Sequence, residues 1–342
     1  MTTDLSTITD TMPASTEVGK LGIMQLKRFW YKSSFRASAA HVSKHANEAT
    51  LDKICLYILG LGLEQTYKQL GNNMLTFDEF EDWIITTAGM PMESEVTRFN
   101  ATFQENKPRE THPIPSVLSA AEIDFWNENG YLIIKNAIPK EDCEISVDVI
   151  CEHIGVDKND PDTWYTKNDS RQGIMVQLFQ HPILVKNRYS DKIRQVFEQL
   201  WQRTDIWVSA DRVGFNPPET EFYKFQGPDL HWDCSLQLPV PYDLQGILYL
   251  NDVAANQGAF TLVPGFQHRL EDWIKSLPPG ANPRRQNLHA LGSKPIAAEA
   301  GDLIIWQQAL PHGSSPNTSS KPRFVQYITY LQVDHQDQEM WV

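Results

Sequence analysis

The stretch Gly227–Pro241, GPDLHWDCSLQLPVP, decides how the second half of the chain is read. It places His231 and Asp233 two residues apart in a segment with strand character. Side chains at i and i+2 of a strand leave from the same face. If that face is the inside of a barrel, an imidazole and a carboxylate lose water together. An ionised carboxylate buried alone is very costly, so a cation becomes the economical partner. The motif is only three residues long, and a strand showing a polar face to water would produce it too. The surrounding sequence has to separate the two readings.

From Ile206 onward, short β-rich runs are separated by Pro, Gly, Asn and Asp: IWVSADRVGF, EFYKF, LHWDCSLQL, LQGILYLND, GAFTLVP, DLIIW and RFVQYITYLQV. Many short strands bounded by turn signals indicate a sandwich or barrel. Their number fits a double-stranded β-helix, the jelly roll shared with cupins. His312 lies 79 positions after Asp233, just past the GDLIIW run. Two histidines and one carboxylate on facing strands match the facial triad of non-haem Fe(II) oxygenases, which leaves coordination positions open. Arg323 begins the next β-patterned run, and a guanidinium suits a planar, bidentate grip on a carboxylate. Alternation would put Arg323, Val325, Tyr327 and Thr329 on one face.

The segment from Ala121 onward resembles the phytanoyl-CoA dioxygenase family of Fe(II)/2-oxoglutarate-dependent oxygenases. AEIDFWNENGYLIIKNAIPKEDC is similar to that family's opening helix and strand. LHWD, LQGILYLNDVAANQGAFTLVPGFQHR, AGDLIIWQQALPHGSSPN and KPRFVQYITY match later landmarks in order, so the resemblance covers about two-thirds of the chain. It implies that His231, Asp233 and His312 are the iron ligands. It also implies that Arg323 pairs with the distal carboxylate of 2-oxoglutarate, and that the Ser314 hydroxyl supports it. The implied reaction consumes 2-oxoglutarate and O2, releases succinate and CO2, and hydroxylates an unactivated C–H. Halogenating relatives carry a small residue in place of the carboxylate, so Asp233 favours hydroxylation; desaturation, epimerisation and ring closure use the same triad. Two departures stand out. PGFQH replaces Pro-Gly-Ser-His, which leaves the role of His268 open, and Ala210 stands where some relatives place an amide.

Ahead of this region the chain reads as helical. Thr76 and Glu79 form a capping box before FEDWIITTAG, and Phe77, Phe80, Trp83 and Ile84 would share one face. A second capping box, Ser119 with Glu122, opens a helix that closes at Asn129-Gly130, followed by a strand at Tyr131–Ile134. Another helix is expected near Asp191–Gln202. Asn106–Ser116 is polar and proline-bearing, as a linker would be. The expected organisation is a disordered lead-in over 1–20, a helical region over 21–112 and a jelly-roll oxygenase domain over 113–342. The helical region would cover the barrel mouth or form a homodimer contact.

Composition narrows the partners. The net charge is −13 with no run of Lys or Arg, which argues against nucleic acid and anionic membranes. The longest apolar run, Ile54 to Leu63, is too short to span a bilayer. Four cysteines without a CxxC pair fit a reducing cytoplasm. Sequons at Asn100, Asn168 and Asn317 are read as chance matches. The pair His41 and His45 has ligand spacing but no neighbouring Glu, and reads as a solvated face. GLGLEQ at Gly60 lacks the third glycine of a dinucleotide loop and reads as packing. Cys234 should point away from the metal and fill space.

The substrate expected is a small molecule, natural-product or amino-acid-like. An acyl group tethered to a carrier or to coenzyme A is the alternative substrate. A non-catalytic module that senses 2-oxoglutarate or docks a carrier is the alternative function, although it gives no reason to keep the triad and Arg323 together. Arg212 and Gln237, on runs that would reach the pocket mouth, are the candidate substrate contacts. Arg212 could instead pair with Asp211 or Glu219.

Overall fold

Helices form in the N-terminal part wherever an apolar stripe coincides with an end signal. The computed structural model describes residues 12–35, 47–104, 112–335, 338 and 340–342. The His41/His45 pair and residues 106–111 of the expected linker lie outside the described residues. Two compact units are present, Met1–Thr111 with Leu331–Asp337, and His112–Tyr330 with Gln338–Val342.

The first unit holds α1 (Leu26–Phe35), α2 (Glu48–Ile58), α3 (Leu63–Asn72), α4 (Phe77–Ala88) and α5 (Glu93–Ala101). In α4 the Thr76–Glu79 capping box is formed in both directions, and Phe77, Phe80 and Ile84 are buried while Trp83 is half-buried. The glycines of GLGLEQ make the turn between α2 and α3: Gly60 has φ +68°, and Gly62 caps α3. Residues 12–20 correct the expected disordered lead-in. Glu81 is buried, and a buried carboxylate needs donors. The backbone N–H groups of Lys20 (3.1 Å) and Leu21 (2.9 Å) supply them, and Arg28 Nη1 donates to the Pro13 carbonyl at 3.0 Å.

The second unit opens with α6 (Ala120–Asn129), capped by Ser119 and Glu122 and ended by Gly130 in the left-handed region at φ +74°. Then come β1 (Tyr131–Ile134), α7 (Lys140–Ile154), β2 (Arg171–Gln172), β3 (Met175–Val176), α8 (Pro182–Arg188) and α9 (Asp191–Trp201). The remaining elements of this unit are β4 (Ile206–Val208), β5 (Val213–Asn216), β6 (Leu244–Tyr249), β7 (Phe260–Leu262), α10 (Leu270–Ser276), β8 (Lys294–Pro295), β9 (Leu303–Gln307), β10 (His312–Ser314) and β11 (Arg323–Tyr327), and β12 (Tyr330–Gln332) spans the boundary between the two units in the sequence. The larger sheet runs β1-β9-β6-β11-β5-β3-β2, and β10-β7-β8 form the smaller one; every pairing within these two sheets is antiparallel. This is the jelly-roll architecture expected. The sequence reading did not place α7, although its buried residues Cys143, Val147, Ile150, Cys151 and Ile154 recur at helical spacing.

Strand alternation divides the core in two. Leu248, Ile305 and Phe324 face a layer of helices that includes Ile150, Ile193 and Phe197. Ile247, Tyr249, Ile304, Trp306 and Val325 face the smaller sheet, where Phe260 and Leu262 meet them. Two expected strands are absent. EFYKF is a turn, because the Thr220 hydroxyl accepts from the N–H groups of Phe222 (3.2 Å) and Tyr223 (3.0 Å). LHWDCSLQL is reduced to a single bridge at His231, bracketed by Pro228 and Pro239.

Gln326 sits on the helix-facing side of β11 and is fully buried. Its amide oxygen accepts from Asn187 (3.0 Å) and its nitrogen donates to the Leu184 carbonyl (2.8 Å). Replacing it by Leu should destabilise the protein by about 1–3 kcal/mol, because two buried polar groups lose partners. A urea-unfolding midpoint unchanged in Gln326→Leu would contradict this.

Candidate active site

Two imidazoles meet because two backbones do. His231 and His312 form an isolated antiparallel bridge: the His231 N–H donates to the His312 carbonyl at 2.8 Å, and the His312 N–H donates back at 3.0 Å. The ring centroids are 4.9 Å apart. His312 is anchored in turn by β10, where it pairs with Leu262 of β7. The residue after it must be small. A Cβ on Gly313 would stand 2.8 Å from the Asp229 carbonyl oxygen, and that same carbonyl orients His231.

The hydrogen bonds assign the ring nitrogens. His231 Nδ1 lies 2.7 Å from the Asp229 carbonyl and His312 Nδ1 lies 3.0 Å from that of Leu310. A carbonyl only accepts, so each Nδ1 carries a proton and each Nε2 is left to face the site. Both Nε2 atoms look at one carboxylate: Asp233 Oδ1 is 3.3 Å from His231 and Oδ2 is 3.2 Å from His312. One ligand atom from each of the three residues lies within 4.8 Å of the others. Lone-pair nitrogens facing carboxylate oxygens at this range repel unless a proton or a cation stands between them. The electrostatics express the same demand. Burial works to raise the Asp233 pKa, yet the two imidazoles hold it well below the usual carboxylate range. Burial works to lower that of His231, yet hydrogen bonding and attraction to Asp233 leave it above the ordinary imidazole value.

Arg323 enters from the inward face of β11 and is fully buried. Its Nη1 donates to the Ser314 hydroxyl at 3.0 Å, while Nε and Nη2 are buried with no partner among the described residues. A buried guanidinium with two unmatched nitrogens is poised for an anion.

A cavity of about 300 Å³ opens at the triad; His231, Asp233, His312 and Ser314 line it together with Phe260, Trp306 and Tyr327, and Arg323 stands behind this wall, in contact with it through Ser314. Arg212 is also on its wall, with its Nε 3.5 Å from the Asp211 carboxylate that stands beside it. Gln237 is not among the lining residues, which corrects its placement at the pocket mouth. Its side-chain oxygen accepts from the Met340 N–H at 3.2 Å instead, because the segment leaves strand geometry after His231. His268 is likewise remote from the triad, bonded through Nε2 to the Asn127 carbonyl at 2.8 Å. Cys234 is buried and its thiol faces the Gln308 carbonyl.

One participant escaped the sequence reading. Gln245, on the inward face of β6, donates from Nε2 to Asp233 Oδ2 at 2.8 Å, and its own oxygen accepts from Trp306 Nε1 at 3.1 Å. The signal was present: Gln245 shares the parity of Ile247 and Tyr249, so a polar residue falls on an apolar face.

A jelly roll in which two histidines and an aspartate converge beside a buried arginine defines the class of non-haem Fe(II) oxygenases. The family model of phytanoyl-CoA dioxygenase matches residues 126–325. The chain belongs to this family of Fe(II)/2-oxoglutarate-dependent oxygenases. A Dictyostelium discoideum protein named for the same dioxygenase is 27% identical, the match covering 60% of this chain and 73% of that protein. Among solved structures, EctD from S. alaskensis with bound Fe is similar at 17% identity and a TM-score of 0.47, over 67% of this chain and 83% of that one. HygX from Streptomyces hygroscopicus, with nickel and 2-oxoglutarate bound, is similar at 15% identity and a TM-score of 0.44, over 65% and 90%. Membership rests on the sequence match. Among the described residues no helix is long and apolar enough to cross a membrane.

A metal on these imidazoles must displace the proton shared with Asp233. Because the His231 pKa is raised, protons should begin to compete above pH 6.5, the ordinary value for the group. Co(II) titrations should therefore show affinity falling as pH is lowered from about 8 to about 6. A flat profile over that range would show that His231 is not a ligand.

Proposed function

We propose that this chain hydroxylates an unactivated C–H of a small organic molecule, using Fe(II) held by His231, Asp233 and His312. The observation that carries the reading is the pair of Nε2 atoms aimed at one carboxylate, with their Nδ1 protons already committed to carbonyls. That donor set, two neutral nitrogens and one anionic oxygen, fits ferrous iron and leaves positions for other ligands. Arg323 and Ser314 would hold the distal carboxylate of 2-oxoglutarate, which the two unmatched guanidinium nitrogens fit. Iron with 2-oxoglutarate and O2 supplies the oxidation, in which R–H, O2 and 2-oxoglutarate become R–OH, succinate and CO2.

The protein's own part is orientation and exclusion of water. Gln245 fixes the carboxylate plane of Asp233, and Trp306 fixes Gln245. Phe260, Trp306 and Tyr327 wall the cavity, and its volume of about 300 Å³ is at the low end for small-ligand pockets. A free small molecule therefore suits it better than a coenzyme A thioester. Arg212, beside Asp211 on the wall, would take an acidic group of that molecule.

His312→Ala should abolish succinate formation from 2-oxoglutarate under Fe(II) and O2. Retained turnover would remove the metal assignment. Arg323→Ala should raise the KM for 2-oxoglutarate roughly 100-fold, in line with truncating a buried charge pair. Arg212→Ala should instead raise the KM of the organic substrate and leave substrate-free 2-oxoglutarate decarboxylation intact. An exchange of those two kinetic signatures would refute the assignment of roles.

A further inference from the structure

Asp233 is the one member of the triad that no strand holds. His312 belongs to β10 and His231 is bridged to it, but residues 232–236 have no ladder partner in any of the three sheets. Backbone carbonyls there need donors all the same. One side chain provides them. Arg284, in a 3-10 turn at Pro283–Arg285, donates from Nη1 to the Trp232 carbonyl at 2.7 Å and from Nη2 to the Cys234 carbonyl. These are the carbonyls on either side of Asp233. Its planar fork replaces the two N–H groups a neighbouring strand would offer.

The same guanidinium is braced from its other side. Its centre lies 4.8 Å from the centroid of the Trp341 ring, and Nη2 and Nε reach the Val342 carbonyl at 2.9 and 3.1 Å. Residues 340–342 run beside 235–236. Ser235 Oγ donates to the Met340 carbonyl at 2.6 Å and accepts from the Val342 N–H at 3.1 Å, while the Leu236 N–H donates to the Val342 carbonyl at 3.2 Å. Arg284 thus sits between the segment that carries Asp233 and the segment Met340–Val342.

We infer that Arg284, clamped by Trp341, is a positioning residue for the metal centre: it sets the backbone on both sides of Asp233 and so presents the carboxylate to the two imidazoles. The inference rests on the proposed ferrous site. It assigns to Met340–Val342 a part in holding metal, although these residues touch none of the ligands directly. Arg284 acts on the main chain, so its loss should move metal binding before it moves the fold.

The test is Co(II) binding to the full chain, read by its visible absorption and by affinity. Arg284→Met should lower Co(II) affinity about 10–100-fold, the range seen when groups supporting a ligand are removed. It should also alter the Co(II) spectrum, while near-ultraviolet circular dichroism of the metal-free protein stays as in the parent. Arg284→Lys, which offers a point charge and no fork, should recover only part of the loss. Trp341→Ala should weaken Co(II) binding in the same direction and serves if Arg284→Met does not fold. Parent-like affinity and spectrum in folded Arg284→Met, or in Trp341→Ala where the first variant fails, would overturn the inference and leave the ferrous site standing. Absence of Co(II) binding by the parent would overturn both.

Discussion

The site depends on one exchange of backbone hydrogen bonds. His231 and His312 trade N–H and C=O across an antiparallel bridge, so their rings must leave the backbone side by side. The carbonyls of Asp229 and Leu310 then turn both rings to the same tautomer. Position, orientation and protonation of two nitrogens follow from main-chain geometry, with little left to side-chain freedom. Gly313 is part of this arrangement, because the close approach of the Asp229 carbonyl leaves no room for a Cβ.

The carboxylate is supported differently. Asp233 lies in irregular chain and is half exposed, so its placement comes from side chains that arrive from elsewhere: Gln245 on the carboxylate, Arg284 on the flanking carbonyls, and the Trp232 indole, which donates to the Ala309 carbonyl at 2.9 Å. A rigid pair and a separately held third group suit a centre in which one ligand bears charge and the other two do not. Deeper in the barrel, Arg323 has neither exposure nor a carboxylate partner among the described residues, and only the Ser314 hydroxyl meets it. A charge is tolerated there when its counter-charge arrives with a small molecule.

Local signals in the sequence were reliable where they act over a few residues. Both capping boxes formed, at Thr76 and Ser119, because each needs only its own turn of chain. Inward residues of β11 were readable from alternation, and Arg323 and Ser314 do meet. Failures came where a short-range bond overrode β propensity, as at Thr220, or where strand character was real in composition but no neighbour was there to pair with, as after His231. Gln237 was misplaced for that reason: once the segment left the sheet, its parity no longer pointed at the cavity.

The order of short strands and turn signals pointed to a β-roll, and the resemblance to the dioxygenase family singled out His231, Asp233, His312 and Arg323 as the candidate site. Alternation within a strand could place Arg323 on the inward face of β11, since it is a property of each strand by itself, but Asp233 lies outside any strand and alternation says nothing of it. Tertiary structure decided what supports them. Gln245 meets Asp233 across 12 positions, and Arg284 meets Trp232 and Cys234 across 52 and 50. The parity of Gln245 marks it as inward but does not say what it meets, because which side chain satisfies a given carboxylate or carbonyl depends on the path of the whole chain.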